Sequence, residues 1–472
     1  MEYGRFSSEF EYSRLSQLCI EKNGVQTGPF GSQLHKEDYV TEGTPIITVE
    51  HLGDNRIIHI DTPFVKDEDK KRLQKYQMKE GDIIFSRVGS VDRRALVRKD
   101  EDGWLFSGRC LCVRVDKTKI DPTYLSYFFG LESFKNYIRG IAVGATMPSI
   151  NTKILSEVPV YYPENLNRQK QTAKILSDLD DKIHLNNQIN QTLESIAQAI
   201  FKSWFIDFDP VRAKITAKQE GKDTELAAMC AISSKSEVEI QQMSDDDFTE
   251  LQATAALFPD ELVESELGEV PKGWEISKIS KIGKVITGKT PSSKIENSFA
   301  EKGTFFITPT DIDTEVFVTN TNRYLSEYGE IAIKNSKVDE GSLCITCIGS
   351  QMGKVVITPK SAFTNQQINS ILLFNSTLRN YIFLNLRQRR DEIFLIGSGG
   401  STMPIINKST FESLNLILPD LALIRKFDNF ISPFFNNILS NSVENIELKN
   451  IRDALLPELL AGKINVSMLK DM

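Results

Sequence analysis

The chain has 472 residues, 40% of them apolar and 25% charged, which is globular composition and too much chain for one ordinary core, so two or three domains are expected. It has no apolar run of roughly 18 residues to cross a membrane, and no basic segment leading into an apolar stretch at MEYGRFSSEFEYSRL. Its six cysteines are too few for a disulfide framework at this length, so a reducing cytoplasm is the expected setting and no membrane partner is expected. The net charge of −8 is concentrated in residues 211–270, where 5 Lys/Arg face 14 Asp/Glu. The rest of the chain is close to neutral, which permits a basic nucleic-acid-binding surface elsewhere.

Taken in chain order, residues 1–165 read as a mixed α/β domain. Short β-rich runs TPIITVEHL (44–52) and KEGDIIFSRVGS (79–90) precede a helix expected over 121–139, with Asp121 as N-cap and Pro122 in its first turn. The domain closes with GATMPSINTKILSEVPVYYP (144–163). A long helical pattern follows at 166–208. Its seam steps by three and four through Leu176, Leu179, Ile183, Asn186, Asn190, Leu193, Ala197, Ile200 and Trp204, which is heptad spacing. Residues 209–262 read as an acidic linker.

Residues 263–421 repeat the first domain. GSTMPIINKSTFESLNLILP (400–419) aligns with 144–163 without a gap, and the shared TMPxIN is a poor match for chance. TFFITPTDI (304–312) and DEGSLCITCIGS (339–350) resemble the two earlier β-rich runs. A second long helix is expected over 422–463, with seam residues Phe427, Ile431, Phe434, Ile438, Asn441, Asn445 and Leu448, and with Ile451, Leu455 and Leu459 extending its apolar face. Pro433 should kink it or delay its start. Each seam carries two asparagines four apart. Asparagine in an apolar seam costs stability and fixes register, so the two helices are expected to pair within the chain with their polar layers meeting. A helix over 168–205 would make a rod of roughly 57 Å at 1.5 Å per residue. One turn of B-DNA is about 34–36 Å, so such a rod suits two grips on one duplex. The fold class expected is α+β: two tandem mixed α/β domains with two long helices that pair as an antiparallel coiled coil.

Three stretches carry apparent catalytic signals. GKVITGKT (283–290) fits the phosphate-cradling pattern G-x-x-x-x-G-K-[ST], but no apolar helical period follows it. The equivalent GVQTGPFGS (24–32) shares only Thr-Gly, which suits a tight turn. Asp420 with Glu447 and Lys449 formally makes a PD…ExK nuclease pattern, although Glu447 and Lys449 fall on the second long helix. Cys344 and Cys347 form a lone CxxC in a β-rich run, where positions i and i+3 point to opposite faces, and no second pair completes a zinc site. No Pro-Pro-aromatic loop of an adenine methyltransferase is present. No catalytic residue and no metal ligand is expected in this chain.

The duplicated TMPxIN domains, the helix running into IFKSWFIDFDPVRAK (200–214), and ALFPDELVESELGEVPKGWE (256–275) together resemble the specificity (S) subunits of type I restriction–modification systems. The resemblance covers nearly the whole chain; the acidic insert and Pro433 are its departures. It implies that each variable domain is a target recognition domain for half of a split, asymmetric double-stranded DNA site. It further implies that the helices set the gap and dock two methyltransferase (M) subunits, that restriction (R) subunits join this core, and that S-adenosylmethionine, ATP and Mg bind those partners and not this chain.

Arg or Lys suits guanine and Asn or Gln suits adenine. Corresponding loops supply the DNA-binding candidates: Ser32, Gln33, Arg87, Ser90, Arg93, Arg94, Arg109 and Thr146 in the first domain, and Thr287, Lys289, Thr290, Ser350, Gln351, Lys354, Asn365, Gln366 and Thr402 in the second. Two alternatives stay open: a coiled-coil scaffold without DNA readout, and a nucleotide-binding enzyme using residues 283–290.

Overall fold

The computed structural model describes residues 6, 10–29, 33–399, 404–464 and 466. The chain divides into two units, Met1–His184 with Ile446–Met472, and Leu185–Asn445. The long helices Leu166–Phe205 and Leu421–Leu460 each contribute to both.

In the first unit a five-stranded sheet runs in the order Val25–Thr27, Cys110–Val113, Ile83–Ser86, Arg94–Leu96, Asp54–Asn55. Its apolar residues alternate between two cores. Ile83, Phe85, Leu111 and Val113 pack under the helices, while Ile84, Cys110 and Cys112 face the second sheet. This is the period of two expected of a strand buried on both faces. The second sheet orders Tyr39–Val40, Phe64–Val65, Thr44–Ile47 and Leu105–Phe106, its last pair parallel.

The second unit repeats this plan. Gly283–Thr287, Ile368–Leu373, Leu343–Thr346 and Val355–Ile357 form a sheet in that order. The other sheet pairs Thr304–Ile307 parallel to Ala362–Thr364, as Thr44–Ile47 pairs with Leu105–Phe106. Leu343 and Ile345 join one core and Cys344 the other. Cys344 and Cys347 therefore lie in different cores, and burial raises their thiols to about 12 and about 11.

TMPxIN does the same structural work in each unit. Asn151 and Asn407 cap the short helices Thr152–Ser156 and Lys408–Glu412 by accepting from Ile154 N and Thr410 N, and Ile150 and Ile406 are buried. Thr402 and Met403 lie outside the described residues.

The helix expected over 121–139 is two helices, Pro122–Phe128 and Glu132–Ile141. Asp121 does cap the first, accepting from Tyr124 N at 2.9 Å. The break falls at Gly130, where a Cβ would lie 2.3 Å from Arg94 Nη2; the turn leaves room for that guanidinium.

Pro433 does not delay the start of the second helix. The helix begins at Leu421 and runs through the proline. Proline inside a helix costs about 3 kcal/mol, and burial of a large apolar side chain returns about 1.5–3 kcal/mol. Ile431 and Phe435 on either side are fully buried. Phe435, not Phe434, is the more buried, with its ring 5.6 Å from that of Phe383. Ile451 is 48% exposed and does not extend the seam.

The asparagine layers meet as expected. Asn186 Nδ2 donates to Asn445 Oδ1 at 2.9 Å, and Asn441 Nδ2 to Asn190 Oδ1 at 2.9 Å. Rising numbers on one helix meet falling numbers on the other, so the pair is antiparallel. Ile183 and Ile438 are buried in the seam; Leu179, Leu193 and Leu448 are half-buried.

Residues 209–262 are largely helical: Asp209–Glu220, Thr224–Ser233, Glu237–Gln241 and Asp245–Ala255. Much of their acidity sits at helix N-termini, where carboxylates oppose the positive end of the dipole. Asp223 accepts from Glu225 N and Leu226 N. Ser236 and Glu239 form a reciprocal cap, and three aspartates open the helix Asp245–Ala255. A small core of Ala228, Met229, Ile240 and Ala255 holds these helices together.

Candidate nucleic-acid interface

In the first unit the strand Ile83–Ser86 delivers Arg87 to one end of its sheet, and Gly89 turns the chain at φ 77°. Backbone bonds draw other segments to this end. Arg87 N donates to Arg109 O at 2.8 Å, Gly89 N to Pro148 O at 2.8 Å, and Ile150 N to Arg87 O at 2.9 Å. Arg87, Ser90, Arg109 and Thr146 are thereby brought together, with Ser90, Arg109 and Thr146 exposed. Arg87 Nη1 is partly engaged by Gly108 O at 3.2 Å.

The second unit builds the same frame. Gly349, at φ 88°, donates through its N–H to Pro404 O at 2.9 Å, and Ile406 N donates to Cys347 O at 2.9 Å. Gly288 N donates to Ile368 O at 3.0 Å and Lys289 N to Thr364 O at 2.8 Å. Thr287 Oγ1 donates to Asn369 Oδ1 at 2.7 Å and Thr290 Oγ1 to Gln366 Oε1 at 2.8 Å. Thr287, Lys289, Thr290, Ser350, Gln351, Asn365 and Gln366 therefore share one end of the sheet. Lys289, Ser350, Gln351 and Gln366 are exposed there.

Several candidates are spent elsewhere. Arg94 is not a loop residue. It opens the strand Arg94–Leu96, is only 4% exposed, and its Nε donates to Ser126 O at 2.6 Å. Arg93 donates to Leu52 O. Gln33 Oε1 accepts from Tyr76 OH at 2.6 Å. Lys354 Nζ pairs with Asp313 Oδ1 at 2.7 Å, and Asn365 is buried against Gln367. Ser32 and Thr402 lie outside the described residues. Sequence reasoning missed Asn369, the buried anchor of Thr287, because its place inside the apolar run INSILL reads as core.

The phosphate-loop pattern fails on structure. Residues 283–287 are a strand paired along its length with Ile368–Leu373, and residues 288–298 form no helix before the strand Phe299–Ala300. The shared Thr-Gly is also not a tight turn. Neither Gly28 nor Gly288 has a left-handed φ. Each is needed for close approach: a Cβ would lie 2.3 Å from Ser107 O at Gly28 and 2.1 Å from Asn365 O at Gly288. Glu447 and Lys449 of the nuclease-like pattern are exposed helix positions. Among the described residues no three His, Cys, Asp or Glu are grouped to hold a metal ion, and no helix is long and apolar enough to cross a membrane.

The type I restriction modification DNA specificity domain matches residues 7–195 and again 271–450, the two repeats found above. The chain belongs to this family. It is 36% identical over 442 residues to the type I restriction enzyme HindI specificity subunit of Haemophilus influenzae, covering 89% of this chain and 95% of that one. It is 27% identical over 364 residues to the MjaIX specificity subunit of Methanocaldococcus jannaschii, covering 75% and 72%. The fold resembles that of a type I restriction–modification S subunit from M. genitalium, with a TM-score of 0.56 at 14% identity, over 95% of this chain and 96% of the other. The specificity subunit is the non-catalytic component of a type I restriction–modification complex, and the loop ends described above lie within the two matched domains.

Proposed function

We propose that each unit of the specificity subunit reads one half of a split, asymmetric DNA site through the loop end of its sheet. The paired helices set the unspecified gap and dock two methyltransferase subunits, and restriction subunits join that core. Adenine methylation and cleavage are the partners' chemistry, as is the binding of S-adenosylmethionine, ATP and Mg; the complex works in the cytoplasm. The observation that carries this reading is the pair of loop frames, alike in backbone and unlike in side chain. The first offers Arg87, Ser90 and Arg109; the second offers Lys289, Ser350, Gln351 and Gln366. Arginine matches the acceptors of guanine and glutamine the edge of adenine, so two frames with different side chains suit two different half-sites.

The test is methylation sequencing of DNA from cells expressing the cognate methyltransferase with and without this chain. A split motif methylated only when the chain is present supports the reading. Unchanged methylation with an active partner rejects it and leaves the coiled-coil scaffold.

A further inference from the structure

The family match leaves residues 196–270 uncovered, and this stretch includes the acidic helices. They do more than bridge two domains. The helix Asp245–Ala255 and the end of Thr224–Ser233 form one wall of a groove of about 570 Å³, and the long helices form the other. The floor is apolar: Ile200 and Trp204 from the first long helix, Leu251 from the insert, and Phe430 from the second long helix. Phe430 is 52% exposed, with the ring of Phe434 edge-on to it at 5.5 Å. Asp247 and Glu250 stand on the rim, beside the exposed Asp245 and Asp246. Lys426 lies 3.5 Å from Glu250, whose side chain is still 75% exposed.

We propose that this groove receives an amphipathic helix of the methyltransferase subunit, one with an apolar ridge flanked by Lys and Arg. Three observations favour that occupant. The walls are helical, the setting in which a helix lays its apolar face into a groove. The floor holds an aromatic side chain half in water, the residue type that anchors interfaces. The rim and the segment behind it are strongly acidic, which selects a basic partner and repels the DNA phosphates that the loop ends attract. The inference rests on the reading that the long helices dock the methyltransferase. It adds that the insert forms part of the dock and fixes the chemistry of the docking element.

The experiment titrates the full-length specificity subunit with its cognate methyltransferase subunit. Phe430→Glu should weaken association at least tenfold. Tyr328→Glu, exposed on the helix Glu327–Ala332 and outside both the long helices and the insert, should leave it unchanged. Asp247→Lys combined with Glu250→Lys changes only surface groups, and should weaken association and reduce its dependence on salt. Unchanged affinity in Phe430→Glu overturns the groove. A loss in Phe430→Glu without any effect of the charge reversal overturns the basic occupant. If the wild type fails to bind the methyltransferase at all, the docking reading itself falls; normal wild-type binding with indifferent variants removes this inference alone.

Discussion

Asn186 and Asn445 meet at 2.9 Å within the helix pair, both buried, and Asn186 Nδ2 also donates to Glu444 at 2.7 Å. The layer fixes which turn of one helix faces which turn of the other. Replacing one member strands the other's polar group, at about 1–3 kcal/mol. Asn186→Leu should lower the urea midpoint. The double variant Asn186→Leu with Asn445→Leu should recover most of it, while blurring the register. A double variant no more stable than the single one would refute the pairing argument.

Arg94 and Arg109 should separate cleanly. Arg94→Ala empties a buried guanidinium site and should cost about 2–3 kcal/mol of stability, with the salt dependence of DNA binding by the assembled complex unchanged. Arg109→Ala should leave stability alone. It should either relax one position of the first half-site or lower the slope of log K against log salt by about 1. Paired melting and binding titrations check both.

Lys289 and Gln366 belong to the second reading end. Lys289→Ala and Gln366→Ala should relax the second half of the methylated motif, by about 1–3 kcal/mol of discrimination per lost base contact, and leave the first half intact. Methylome sequencing reads both halves in one experiment. Relaxation of the first half would show that the loops are misassigned.

Gly288→Ala places a Cβ 2.1 Å from Asn365 O and 2.2 Å from Thr364 Oγ1. The backbones at residues 288 and 365 must move apart, so the variant should be destabilised and should lose fidelity at the second half-site, with no nucleotide binding gained or lost. The equivalent Gly28→Ala should do the same at the first half-site. Thermal melting and the methylation motif are the measurements.

Glu194 pairs with Arg387 at 2.8 Å. Burial raises the Glu194 carboxyl above its ordinary range, and the attraction of Arg387 offsets only part of that rise. The folded state therefore binds this proton more tightly than the unfolded chain. Its contribution to stability is greatest below the ordinary carboxylate pKa and falls as pH rises through the elevated value. Glu194→Gln should flatten that part of the pH–stability curve, measured by urea unfolding between about pH 4 and 7.

Much of the architecture was legible because it is written twice. TMPxIN recurs because the same asparagine caps a helix, the same isoleucine fills a core, and the proline carbonyl takes the same glycine N–H in the described copies. The asparagine layers were legible because polar residues at heptad spacing have few other uses. The candidate site was less so. Sequence places a side chain within a loop or two, but Arg94 is inside a strand and Arg109 in water, and only the sheet register distinguishes them. Pro433 misled because local helix cost is visible in sequence, whereas the burial of Ile431 and Phe435 that outweighs it depends on distant partners. The insert read as charge because its helix caps and small core are spread thinly through polar sequence.

The loop frames have an evolutionary consequence. Gly89 holds Pro148, and Gly349 holds Pro404, by main-chain bonds alone. The scaffold of each reading end is thus indifferent to what Ser90, Arg109, Ser350 or Gln351 happens to be. Such a subunit can acquire a new target by exchanging a few exposed letters, without renegotiating its fold or its ties to the rest of the machine, and each half can drift separately from the other.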